Sequence, residues 1–355
     1  MKIVFVVGAR PNFVKAAPVI NTFRKHSDLN CILIHTGQHF DKIMSDVFFI
    51  QLGIREPDIN LGIGGGSQSQ QTAAIMIEME KKLIEIKPDW VFVFGDVNST
   101  LAATIVSKKL FIKVAHIESG LRSFDMEMPE EVNRILTDRI SDLLFITERS
   151  GADNLINEGI HQDKIHIVGN TMIDCLIKMK SEIDKNQILK EIGLKEKEFV
   201  VVTLHRPSNV DKINRLNHLI KKITKWSGDK KILWPMHPRI KKNELKIDKK
   251  KWYLSKPIGY IEFLKLVSKS FCVFTDSGGI QEETSFLGVK CFTLRENTER
   301  PITCTNGTNV LLTSKLIKNN KFLPIKGSDI KKIPSIPLWD GRSSERILKI
   351  FLSKN

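Results

Sequence analysis

The chain has no C-x-x-C pair, no H-E-x-x-H, no G-x-x-x-x-G-K-[ST] and no G-x-S-x-G. Its first strand-like run is not followed by G-x-G-x-x-G. Each absence closes off a chemistry. Five scattered cysteines, Cys31, Cys175, Cys272, Cys291 and Cys304, argue against a disulfide framework and against a zinc site. Without metal-ligand spacing or a dinucleotide fingerprint, neither a metal nor a nicotinamide cofactor is expected. The P-loop and the α/β-hydrolase elbow are likewise excluded. The opening apolar run, 3–7, is too short for a signal-peptide core or a membrane span, so the expectation is a cytoplasmic protein without a membrane partner.

What is present is a chain long enough for two domains. At 355 residues it exceeds the size at which one core stops growing, and 41% hydrophobic residues suffice for proper cores. The net charge of +15 raises nucleic acid as a partner. The lysines, however, sit in solvated pairs such as Lys221-Lys222, Lys230-Lys231 and Lys241-Lys242, with no aromatic residues between them to stack on bases. A lysine-rich surface is the simpler account, and no nucleic-acid partner is expected.

Short apolar runs alternate with longer amphipathic stretches, the rhythm of a parallel sheet wrapped in helices. Strands are expected at 3–7, 31–35, 90–94, 114–117, 143–146 and 165–168. The rhythm restarts at 199–204 and continues through 231–235, 252–254, 271–275, 290–293 and 309–311. The fold class is therefore α/β, with two Rossmann-like, doubly wound domains. The domains are expected over 1–170 and 171–341, with a C-terminal helix at 342–355 packing back onto the first.

Polar residues that follow buried strands are where open parallel sheets place their ligand groups. Gly8-Ala9-Arg10-Pro11 follows the first run, Gly95-Asp96 the third, Glu118 the fourth, and His205-Arg206-Pro207 opens the second half. Ser277-Gly278-Gly279 precedes a helix whose first-turn amides suit an anion, with carboxylates one turn on for sugar hydroxyls. The plainer reading of that segment is an ordinary strand–turn–helix joint. Glu130 and Arg134 stand at i,i+4, and a helix salt pair worth about 0.3–0.5 kcal/mol is their plain reading. Asp96 and Glu118 are harder to set aside, because each ends a buried strand. His116, His35 and His237 read as residues satisfied within or beside the sheets.

These segments, with Thr36-Gly37-Gln38-His39, His116-Ile117-Glu118-Ser119-Gly120-Leu121-Arg122, Pro129-Glu130-Glu131-Val132-Asn133-Arg134 and Thr298-Glu299-Arg300-Pro301, resemble the non-hydrolysing branch of the UDP-N-acetylglucosamine 2-epimerase family. The resemblance runs in order over nearly the whole chain. It implies a GT-B-like arrangement with the active site in the interdomain cleft, a UDP-sugar substrate, a homodimer and a place in cell-envelope polysaccharide synthesis. The implied reaction interconverts UDP-N-acetylglucosamine and UDP-N-acetylmannosamine through loss of UDP, a 2-acetamidoglucal and re-addition. Carried over by position, Asp96, Glu118, Glu130 and His205 match catalytic residues. Arg10, Lys15, Arg134, Ser277, Gly278, Gly279 and Glu283 match substrate-binding residues, and Gln38 and His39 match part of an allosteric site. Pro207-Ser208 departs from the family's usual Arg-Glu after His-Arg. The alternatives are a 2-epimerase of a modified UDP-sugar such as a 2,3-diacetamido-glucuronate, a hydrolysing epimerase and, more distantly, a GT-B glycosyltransferase.

Overall fold

The computed structural model describes residues 1–38, 51–236, 240, 242–319 and 335–354. It divides into two compact units, Met1–Lys178 with Pro337–Asn355, and Met179–Ile336. Among the described residues no helix is long and apolar enough to cross a membrane.

The first unit is built on a seven-stranded parallel sheet in the order β3-β2-β1-β4-β5-β6-β7. Its strands are β1 Lys2–Val7, β2 Asn30–His35, β3 Ile59–Asn60, β4 Trp90–Phe94, β5 Lys113–Ser119, β6 Leu143–Ile146 and β7 Ile165–Ile167. Helices α1 Arg10–Phe23, α2 Gln68–Ile86, α3 Asn98–Lys109, α4 Pro129–Ile140, α5 Arg149–Asn157 and α6 Thr171–Lys185 connect and follow them. The central strands are buried throughout, which is why they read as continuous apolar runs such as Trp90-Val91-Phe92-Val93-Phe94. The edge strand β3 has only two residues and no such pattern, and nothing in the sequence announced it.

The second unit repeats the plan with six parallel strands in the order β10-β9-β8-β11-β12-β13. They are β8 Phe199–Thr203, β9 Lys231–Pro235, β10 Trp252–Ser255, β11 Cys272–Thr275, β12 Lys290–Thr293 and β13 Asn309–Leu311. Its helices are α7 Ile188–Glu191, α8 Pro207–Val210, α9 Ile213–Trp226, α10 Tyr260–Lys269, α11 Gly278–Leu287, α12 Ile302–Thr305 and α13 Ser314–Lys318. Both sheets are thus doubly wound, with the strand order reversing between β1 and β4 in one and between β8 and β11 in the other. Ligands of such sheets bind beyond the carboxyl ends of the strands flanking that reversal.

The last helix, α14 Ser343–Ser353, belongs to the first unit. Its Phe351 is fully buried, with its ring 5.5 Å from Phe23, 5.2 Å from Phe92 and 5.4 Å from Trp90. Burial of a phenylalanine of this kind is worth roughly 3 kcal/mol. Asp174 of α6 caps α14, accepting from Ser343 N at 3.1 Å and Ser344 N at 2.7 Å. Burial pushes the Asp174 carboxyl above its ordinary value in spite of these donors.

Candidate functional site

At the reversal point of the first unit, the loop after β1 is tied to the end of β4 by Asn12. Its Oδ1 accepts from Gly8 N at 3.2 Å and Ala9 N at 3.1 Å, and its Nδ2 donates to Phe94 O at 2.8 Å. One turn further along α1, the buried Lys15 meets Glu118 at 2.6 Å. Glu118 sits at an irregularity in β5, where the register with β6 shifts between Ile117 and Ser119. Its φ is +69°, a left-handed conformation that costs a glutamate about 1–3 kcal/mol. Strain of this order on a buried carboxylate, at the active end of a parallel strand, points to a positioned chemical group. Gly95 packs against the same lysine. A β-carbon there would fall 2.9 Å from Lys15 Nζ, and its φ is +61°.

Asp96 follows Gly95 and pairs with Arg134 of α4 at 2.5 Å. Arg134 is fully buried and also holds Glu131, and its guanidinium donates to Ser123 Oγ at 3.4 Å. Glu131 in turn accepts from Ser123 N at 3.0 Å and Phe124 N at 2.8 Å. Burial alone would raise the Glu131 carboxyl, but these amides and Arg134 hold it below its ordinary value. The helix salt pair between Glu130 and Arg134 is therefore not what forms. Arg134 is claimed by Glu131 and Asp96, while Glu130 stands exposed in the first turn of α4.

Gln38 caps α3, accepting with Oε1 from Ser99 N at 3.2 Å and Ser99 Oγ at 2.8 Å. Its predicted companion His39 lies outside the described residues, as does His237. Arg10 opens α1.

In the second unit the corresponding point is organised by one buried carboxylate, Asp276, just beyond β11. It accepts from His205 N at 3.1 Å, Arg206 N at 3.0 Å and Asn209 Nδ2 at 3.1 Å. Its Oδ1 lies 2.8 Å from His205 Nδ1. The half-exposed His205 ring is thus anchored through Nδ1, which leaves Nε2 for a ligand. Burial would raise the Asp276 carboxyl, and His205 with the amide donors brings it below the usual range instead.

Ser277 stands at the N-cap of α11, but its hydroxyl makes no capping bond. The helix therefore offers its first-turn amides and the hydroxyl together to an anion. Gly278 lies close against the Arg300 guanidinium and the Glu299 carboxylate, which a β-carbon would displace. Arg300 pairs with Glu282 at 2.9 Å and also with Glu299. Glu283, on the buried side of α11, accepts the Tyr260 hydroxyl at 2.8 Å, and burial raises its carboxyl to about 7. The role of Tyr260 had no signal in the sequence, whereas Asp276 carried the one that flagged Asp96, a carboxylate ending a buried strand.

The first unit thus offers carboxylates fixed by cations, suited to moving protons. The second offers a helix terminus, a histidine and a buried glutamate, suited to holding a phosphorylated ribose. A family profile described as UDP-N-acetylglucosamine 2-epimerase matches residues 21–352. The UDP-N-acetylglucosamine 2-epimerase of Methanocaldococcus jannaschii is 40% identical over 366 residues, spanning 99% of this chain and 98% of that one. The UDP-2,3-diacetamido-2,3-dideoxy-D-glucuronate 2-epimerase of Pseudomonas aeruginosa is 42% identical over 320 residues, 88% of each chain. The crystal structure of the Methanocaldococcus jannaschii UDP-GlcNAc 2-epimerase in complex with UDP-GlcNAc and UDP superposes with a TM-score of 0.89. It is 40% identical and covers 99% of this chain and 100% of that one.

Proposed function

The chain belongs to the UDP-N-acetylglucosamine 2-epimerase family, and we infer from that membership and from its two sets of residues that it interconverts UDP-N-acetylglucosamine and UDP-N-acetylmannosamine. The observation that carries the chemistry is Glu118, buried, left-handed and ion-paired to Lys15 at the end of β5. The proton at C2 of the sugar is weakly acidic, and its removal needs a carboxylate held still. Asp96, Glu118 and Glu130 supply that group and the acid that returns a proton to the opposite face. As UDP leaves C1, negative charge grows on the diphosphate. Ser277 and the amides of Gly278 and Gly279 hold the diphosphate in substrate and intermediate alike, and His205 and Arg10 receive the added charge. Glu283 accepts hydroxyls of the ribose. Lys15 and Arg134 act through the carboxylates they pair with, as the distances to Glu118 and Asp96 support.

A second substrate is favoured by the Pseudomonas aeruginosa relative, 42% identical over 88% of the chain against 40% over 99% for the Methanocaldococcus jannaschii enzyme. Together with Pro207-Ser208 after His205-Arg206, it supports a UDP-sugar carrying further acetamido or carboxylate groups. Proton NMR on a panel of UDP-sugars in deuterium oxide decides among these readings. The epimerase places deuterium at C2 and yields both epimers from UDP-N-acetylglucosamine. Release of UDP with free sugar would mean hydrolysis, and an unchanged C2 proton in every substrate would end the epimerase reading.

The protein is further read as a cytoplasmic homodimer serving cell-envelope polysaccharide synthesis. Ile77 and Ile84 of α2 and Phe111 (95% exposed) support association, because apolar side chains of this size in solvent mark contact surfaces. Light scattering at micromolar concentration tests the dimer, and a monomer mass would remove it.

A further inference from the structure

We propose that Asp138 is a positioning residue of the reaction, fixing through one buried carboxylate the backbone on which both Asp96 and Glu118 stand. The proposal rests on the epimerase reading given above.

Asp138 lies on α4 and is fully buried. Its Oδ1 is 2.6 Å from Nδ1 of His116, and the opposite ring nitrogen, Nε2, is 2.8 Å from the carbonyl of Gly95. Both ring nitrogens therefore face oxygen atoms, and the ring links the two. One arm from Asp138 thus ends on the peptide that leads into Asp96. Its other oxygen accepts from Gly120 N at 3.0 Å and from Arg122 Nη1 at 2.7 Å. The second arm ends two residues beyond Glu118.

What the second arm restrains is the irregularity in β5. Glu118 and Gly120 both have left-handed backbones, φ +69° and +77°, across the register shift. A bulged residue loses its ladder partner, and a buried N–H without an acceptor is costly. Asp138 provides that acceptor for Gly120. Were it lost, β5 would relax toward a regular pleat, and a shift of one position turns a side chain to the other face of the sheet. Glu118 would then leave Lys15. Arg122 ties the cluster together, pairing with Asp138 and bridging to Glu158 by two bonds of 2.7 Å. Burial alone would raise the Asp138 carboxyl, and the His116 and Arg122 charges hold it below its ordinary value.

The test is Asp138→Asn in the full chain, read by kcat, KM, deuterium exchange at C2, calorimetric affinity for UDP and melting temperature. We expect kcat and C2 exchange to fall together by about 10–100-fold, the scale of a slightly misplaced catalytic group. KM and the UDP affinity should stay within about threefold, well short of that scale; the melting temperature should fall, because buried Arg122 loses a partner, so the kinetics are read well below the variant's melting point. A kcat within threefold of the parent would overturn the proposal, as would a loss of activity that merely tracks lost UDP affinity or melting temperature. If Asp138→Asn does not fold, His116→Gln against His116→Ala carries the same test. Glutamine keeps a donor for Gly95 O and should retain more kcat than alanine, and equal losses would overturn the proposal. A parent without C2 exchange sinks the epimerase reading and this one with it. An active parent with an equally active Asp138→Asn sinks only this one.

Discussion

Asn12 and Asn209 stand at matching places, each shortly after an Arg-Pro turn that follows the central strand of its sheet. Asn12 spends its amide on backbone alone, closing its loop onto Phe94 O. Asn209 shares Asp276 with His205 and Arg206 and donates also to Leu294 O. In the first unit Asp96 and Glu118 are instead restrained by cations, with a left-handed backbone at the glutamate. The second buries its organising carboxylate and turns a histidine, amides and a hydroxyl outward. On the proposed function, one plan of strands serves twice, for moving protons and for gripping a diphosphate.

That division can be broken most forcefully with Glu118→Gln and Asp96→Asn. Each should lower kcat by about 10²–10⁴-fold while calorimetric affinity for UDP holds. A collapse of UDP binding would show that the first unit also grips. Next come two neighbours with opposite duties. Glu130→Gln should lower kcat by about 10²-fold without moving the melting temperature, since Glu130 is exposed. Glu131→Gln should destabilise the protein by about 3–5 kcal/mol, leaving Arg134 with a buried charge half answered. Thermal melts of the pair check both, and a stable Glu131→Gln would refute its structural role.

Ser277→Ala should act on binding, raising KM about tenfold with kcat nearly unchanged, the loss of one hydrogen bond to a charged group. A fall in kcat alone would blur the contrast between the units. The smallest effect concerns Glu283, whose carboxyl burial raises to about 7 from 4.5. A raised folded value means its contribution to stability is full below 4.5 and is lost as pH climbs through about 7. The ionised form is the better acceptor for ribose hydroxyls. UDP affinity should therefore strengthen a few-fold between about pH 6 and 8, and Glu283→Gln should flatten the profile. Calorimetry at the two pH values decides it.

The α/β class and its two parallel sheets were legible because doubly covered strands leave long apolar runs, as at 90–94 and 199–203. Strand β3, two residues long, left no run to read. Glycine would have announced a left-handed turn at position 118, but a glutamate there is held by tertiary contacts that no local pattern encodes. Arg134 shows the same limit. Its i,i+4 neighbour Glu130 was the nearest carboxylate by helix geometry, yet burial rewarded Glu131 and the distant Asp96. Asp138 carries no signal in the sequence, since an aspartate in an amphipathic helix has the pattern of solvent-facing charge, yet it is fully buried.

Helix α14 closes a cluster whose other rings, Phe23, Phe92 and Trp90, were laid down near the beginning of the chain. The ribosome must make all of the second unit before supplying Phe351. At about 10 residues per second, that leaves the first unit without its final ring for roughly 15 seconds. During that interval the nascent first unit exposes an aromatic surface and Asp174 lacks the amides it caps. The order of synthesis thus makes the second unit the earlier of the two to finish, and chaperone engagement should fall on the residues made first.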